Sequence, residues 1–131
     1  MDGLHIDIVT PERLAFSGRV VQAQVPGFRG ELGILPGHKW LLTLLRSGVV
    51  TLKDPSGEQR FVVGPGFLEV GPDKVMLLTD ACIDAAHIDR DQAQRAYQQA
   101  EAALTQVGTG AQAWKAAQEQ LALALAKLSL F

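Results

Sequence analysis

The chain has 131 residues, 12 Lys and Arg against 14 Asp and Glu, and a formal net charge of -2, which excludes a net-basic protein that wraps nucleic-acid phosphate. Hydrophobic residues at 47% and charged residues at 20% are a globular composition, not a disordered one. A single cysteine, Cys82, excludes an internal disulfide framework and a cysteine-built zinc cage. No apolar run reaches the roughly 18 residues that a membrane-spanning helix needs.

Met1 to Asp7 is acidic and alternating, without the basic stretch of a signal peptide. Leu4, Ile6 and Ile8 alternate with His5, Asp7 and Val9, the period of a half-buried strand that Pro11 ends. Phe16 to Val25 reads as a second strand closed by Pro26-Gly27, and Leu32 to Leu35 as a short third. Trp40 to Leu45 and Gly48 to Lys53 follow. Asp54-Pro55-Ser56-Gly57 is a turn, because Pro presets φ and Gly accepts a positive one; Arg60 to Val63 pairs back across it. Gly64-Pro65-Gly66 leads into Phe67 to Val70, and Gly71-Pro72-Asp73-Lys74 into Val75 to Thr79. Many short strands at this spacing predict a sandwich or flattened barrel.

The composition then changes. Every proline lies at or before Pro72, and every glycine except Gly108 and Gly110 at or before Gly71. Ala and Gln, good helix formers, take over. Asp89 is an N-cap candidate for a helix whose stripe is Ala93, Ala96, Ala100, Ala103 and Val107, widened by Tyr97 and Leu104. Val107-Gly108-Thr109-Gly110 is expected to stop it with a left-handed glycine. A second helix is predicted from Ala111 to Leu130, with Trp114, Ala117, Leu121, Leu125 and Leu128 as its stripe. The predicted fold class is α+β: an N-terminal antiparallel β-sandwich over residues 1–86, then an antiparallel two-helix hairpin over 87–131. Leu123, Leu130 and Phe131 lie off the stripe, so the second helix has apolar surface to spare.

Enzyme motifs are missing. There is no P-loop and no His-Glu-x-x-His, and Gly64-Pro65-Gly66 opens a strand rather than a helix. His5, His38 and His87 are scattered, and no catalytic residue is assigned. A stand-alone sandwich enzyme would have to use His38 with Asp80 as acid–base groups; no activated nucleophile accompanies them. Cys82 reads as a small buried hydrophobe, and Asp84 and Asp89 as caps at the joint between the halves. Neither a metal site nor a bound cofactor is predicted.

The segment Gly30-Glu31-Leu32-Gly33-Ile34-Leu35-Pro36-Gly37-His38, continued by Leu41-Leu42-Thr43-Leu44-Leu45 and Gly48, resembles the signature of the epsilon subunit of F-type ATP synthase. Gly64-Pro65-Gly66-Phe67-Leu68-Glu69-Val70 with Leu78-Thr79-Asp80-Ala81 is a second match, and Ile88-Asp89 opening an alanine-rich helix a third. Trp40 departs from the family, which usually has Pro there. The resemblance implies a ten-stranded sandwich with a helical hairpin. It also implies a non-catalytic rotor part that binds the gamma subunit, rests on the c-ring, and couples proton-driven (or sodium-driven) rotation to ATP synthesis. The hairpin would fold onto the sandwich or extend along gamma, towards the beta and alpha subunits, to brake hydrolysis. The place implied is the cytoplasmic face of a bacterial plasma membrane, held there through the complex.

By the same likeness Glu31 faces the c-ring, and His38 and Thr43 face gamma; the plainer readings are a solvated turn for Glu31 and strand-end packing for the other two. Several relatives bind ATP through an Ile/Leu-Asp-x-x-Arg-Ala motif. Here the run is Ile88-Asp89-Arg90-Asp91-Gln92-Ala93, so Gln92 stands where the Arg belongs, and helix two offers only Lys115 and Lys127. A triphosphate wants a bidentate Arg clamp. Weak or no ATP binding is therefore expected, with Asp89 and Arg95 the candidates for any that occurs. The tail from Ile88 balances acids against bases, so an electrostatic brake would be feeble. The alternative function is a stand-alone binding module; its tail lacks the Lys- and Arg-rich face of an interfacial helix.

Overall fold

The computed structural model describes residues 3–106 and 110–131. Ten strands come first: β1 (Leu4–Val9), β2 (Leu14–Val20), β3 (Gln22–Gly27), β4 (Gly30–Ile34), β5 (Leu41–Leu45), β6 (Gly48–Asp54), β7 (Gly57–Val63), β8 (Gly66–Val70), β9 (Lys74–Thr79) and β10 (Cys82–Asp84). A 3-10 turn at Ala85–His87 leads into helices α1 (Arg90–Gln106) and α2 (Ala111–Leu128).

The strands form one path, β10-β7-β6-β3-β5-β8-β9-β1-β2, with β4 attached to β3. All pairs are antiparallel except β1 with β9, which is parallel. The predicted antiparallel sandwich thus holds with one exception, at the strand pair that brings the start of the sheet beside its late strands. The two halves of the path are joined between β3 and β5 by a single residue pair, Gly27 with Leu45. There the sheet folds over. Its far ends meet: the Phe16 and Phe61 rings lie 5.6 Å apart, and Arg13 Nη2 donates to the Cys82 carbonyl at 3.3 Å. Between the layers Leu4, Ile6, Ile8, Val25, Leu52, Leu68, Val70 and Leu77 are wholly or almost wholly buried.

The run Phe16–Val25 is two strands, broken at an exposed Val21 whose N–H donates to Lys53 O. Pro26-Gly27 does not close it. Pro26 stays in β3 opposite Glu31, and its carbonyl accepts from the Arg46 N–H, so the missing proline donor leaves the segment anchored. Trp40 lies just before β5 rather than in it. The Asp54–Gly57 turn forms as expected, with Asp54 Oδ1 accepting from the Ser56 N–H at 2.8 Å. Cys82 is buried in β10, a strand the sequence pattern did not mark out.

Asp84 caps the 3-10 turn through the Ala86 N–H at 2.9 Å. Asp89 caps α1, its Oδ2 accepting from the Gln92 N–H at 3.2 Å. Among the described residues, the buried hairpin positions are Ala93, Ala100, Ala117, Ala124 and Ala126. The predicted stripe of α2 is corrected: Trp114 (47% exposed) and Leu125 (49%) face away from the seam. Alanine lets two backbones approach closely, and that close approach displaces large side chains to the flanks. Val107, Gly108 and Thr109, the expected stop of the first helix, lie outside the described residues. Gly110 has φ -75° and sits at the start of α2, not in a left-handed stop. α2 rests on β6 and β7.

Candidate functional site

The register of five strands builds one outer surface. Leu41 and Thr43 of β5 lie opposite the buried Val70 and Leu68 of β8, so the alternate residues Leu42 and Leu44 point outward, opposite Glu69 and Phe67. Phe67 pairs with Leu78, Leu78 lies beside Val9, and Val9 beside Leu14. One row therefore crosses β5, β8, β9, β1 and β2 as Leu44, Phe67, Leu78, Val9 and Leu14. Leu44 is 44% exposed, Phe67 55%, Leu78 45% and Leu14 57%. Phe28, whose N–H donates to Leu44 O, extends this edge with an exposed ring.

The next row is mixed: Leu42, Glu69, Met76, Asp7 and Ser17. The third carries Lys74, His5 and Arg19, with Trp40 packed on Gly71 at the same end. Polarity thus rises along the strands from a row with no polar side chain to a charged one. In the middle row Ser17 Oγ donates to Asp7 Oδ1 at 2.6 Å, and His5 Nε2 lies 3.0 Å from the same oxygen. The Ser17 hydroxyl, helped by His5, holds the Asp7 carboxyl below its ordinary range. Both partners bind the same carboxylate oxygen, which is a rim of polar contacts rather than a relay to a nucleophile.

The residues singled out from the sequence fall in three places. Glu31 is exposed in β4 and shares a cavity of about 230 Å³ with Phe28, Leu32, Leu41 and Thr43. Thr43 therefore lines this cavity and does not belong to the outer row; Leu42 and Leu44 occupy that face. His38 sits apart, its Nδ1 donating to Lys39 O at 2.7 Å. His38 precedes β5 at the Leu41 end, while Asp80 follows β9 at the Leu45 end. At least four strand residues, about 13 Å, separate the two, so they form no acid–base pair. Asp89 lines a cavity of about 280 Å³ with Gln92, His87 and Lys127; Arg95 does not.

Sequence reasoning missed the row itself. The signal was present in Leu41-Leu42-Thr43-Leu44-Leu45 and Val75-Met76-Leu77-Leu78, strands apolar at both parities. A strand with one face on the core has no internal use for the second apolar face. An exposed apolar face of this extent is the kind of surface that another molecule covers.

Residues 3–85 match the family of ATP synthase delta/epsilon chain beta-sandwich domains, and residues 87–131 that of the delta/epsilon chain long alpha-helix domains. The chain belongs to the delta/epsilon chain family of ATP synthase. It is 40% identical over 129 residues to an ATP synthase epsilon chain of Alkalilimnicola ehrlichii, covering 98% of this chain and 91% of that one. It is 40% identical over 102 residues to the epsilon chain of Moorella thermoacetica, covering 77% and 76%. The fold is shared with a chain of the Euglena gracilis mitochondrial ATP synthase (TM-score 0.86, 17% identity, 100% of this chain and 83% of that one). It is also shared with a chain of the Tetrahymena thermophila central stalk and c-ring (TM-score 0.68, 15% identity, 98% and 96%).

Proposed function

We propose that the chain is the non-catalytic central-stalk subunit of an F-type ATP synthase, docked on its gamma neighbour through the apolar row of β5, β8, β9, β1 and β2. The single observation that carries this reading is that row. Four of its side chains are about half exposed, the kind of surface that a partner covers and water does not stabilise. The charged rows beside it supply a polar rim and fix orientation. Glu31, exposed on the β3–β4 hairpin, is the contact to the c-ring. His38, at the Trp40 end, is a rim contact to gamma. Thr43 backs the β3–β4 hairpin from below and acts through its position.

The dense core between the two layers makes the body stiff enough to pass torque. No helix among the described residues is long and apolar enough to cross a membrane, and the subunit associates with the membrane through its partners, on the cytoplasmic face. The hairpin is the regulatory element, reaching the beta and alpha subunits when extended. Its brake is steric, through Trp114 and Leu125, because charges on the tail balance. ATP does not hold the hairpin down: the cavity with Asp89 offers Lys127 and His87 but no arginine.

The test replaces two residues of the row at once, Leu44→Glu with Phe67→Glu. The variant chain should stay folded but fail to co-purify with the gamma and c-ring partners, and membranes that carry it should hydrolyse ATP without pumping protons. Normal co-purification and pumping would remove the proposal.

A further inference from the structure

We propose that Asp80 and Glu119 form a like-charge spring across the seat of the hairpin, keeping the docked α2 close to its point of release at neutral pH. A cavity of about 320 Å³ lies between the sandwich and α2, with Gly64, Pro65 and Asp80 on one wall and Ala116, Glu119 and Leu123 on the other. Two carboxylates thus face one space from the two bodies that must separate.

The backbone at Asp80 is anchored. The Thr79 hydroxyl lies 2.9 Å from Gly64 O and 3.0 Å from Ala81 O. The Gly64 N–H donates to Ala81 O at 3.0 Å, and the Asp80 N–H to Pro65 O at 3.3 Å. This ties the β9–β10 turn to the β7–β8 turn. The Asp80 carboxylate itself fills the space beside Gly64 where a Cβ would stand, so only glycine there lets the carboxylate lie as it does.

No Lys, Arg or His lines the cavity. Lys115 of α2 and Arg46 of the β5–β6 turn line the adjoining groove, which Glu119 also borders. The ion pairs among the described residues are His5 with Asp7 and Lys53 with Glu58, so neither cation is paired with Asp80 or Glu119. Burial first, and the Glu119 charge second, push the Asp80 carboxyl above its ordinary value. Docking therefore raises the Asp80 pKa above its value in the released hairpin. Protonated Asp80 favours the docked state, and that preference is lost as pH rises through the docked-state value. Above that value the charged Asp80 faces Glu119 across the cavity and the repulsion is present. Both also meet water, so the effect on the docked-to-released ratio is modest, about two- to fivefold, and salt weakens it.

This goes beyond the rotor reading, and the isolated full chain tests it without any partner, so its failure leaves that reading untouched. A single thiol at Leu123→Cys in a Cys82→Ala chain reports release of the hairpin by its rate of labelling. Glu119→Gln should slow labelling about two- to fivefold. Asp80→Asn should do the same, and the double variant no more than either alone. About 0.5 M salt should slow the parent but not the Glu119→Gln chain. Glu119 is exposed and Gln is its isostere, so the fold survives that change. Labelling of Glu119→Gln that is unchanged or faster overturns the proposal, and so does an equal salt response in both chains.

Discussion

The sandwich and the hairpin are built from different residues, and the contrast accounts for their different work. The sandwich closes on Leu, Ile and Val: Ile6, Ile8, Val25, Leu68 and Leu77 are completely buried. Among the described hairpin residues the buried ones are all alanines, and the large side chains sit at the flanks or outside. Apolar burial is worth about 25 cal/mol per Å², so a seam of methyl groups holds far less than a core of leucines. The proposed division into a force-bearing body and a releasable lever rests on this difference in side-chain size.

The largest effect should come from the body. Leu52→Ala removes most of an almost fully buried side chain, and a loss of about 2–5 kcal/mol in denaturant unfolding is expected. Gly66→Ala should be comparably severe, because its Cβ would run into the Leu78 carbonyl in the paired β9 strand, where neither backbone can yield. If either change left unfolding untouched and shifted only the helical signal, the division between body and lever would be wrong.

Ala124→Leu forces a large side chain into the hairpin seam. Its expected penalty is about 1–3 kcal/mol, confined to the helices: far-ultraviolet helical signal should melt early while the sandwich transition stays in place. Thr79→Val deletes a hydroxyl buried between the Gly64 and Ala81 carbonyls and should destabilise the sandwich by about 1 kcal/mol. The smallest effect lies on the outer face. Asp7 is held below its ordinary 3.8, first by Ser17, so the stability it contributes is present above that value and fades as pH falls through its folded pKa. Ser17→Ala should move the Asp7 titration upward by nuclear magnetic resonance, with little change in melting.

Much of this was legible in the sequence, for identifiable reasons. Alternation in Leu4–Val9, the Asp54–Gly57 turn and the Asp89 cap each depend on neighbours in the chain, and each formed as expected. The break at Val21 and the parallel β1–β9 pair depend on strands far away in sequence, and no local pattern encodes them; Pro26 is held in β3 by the neighbouring β4 and by the Arg46 N–H. The seam of α2 went wrong at Trp114 and Leu125 because a periodic stripe counts hydrophobicity, whereas close helix packing selects for small size. The outer row needed register: Leu44, Phe67, Leu78, Val9 and Leu14 come from five strands, and only their pairing makes them one surface. Thr43, which family likeness sets towards gamma, has the opposite parity from this row and lines the cavity beside Glu31.

The central claim is that the row is covered in the assembled enzyme. A photo-reactive side chain at Phe67, with Glu58 on β7 as the control position, tests this in the intact complex. The account expects a cross-link to the gamma neighbour from position 67 and none from position 58. An adduct from position 58 with none from position 67 would contradict it.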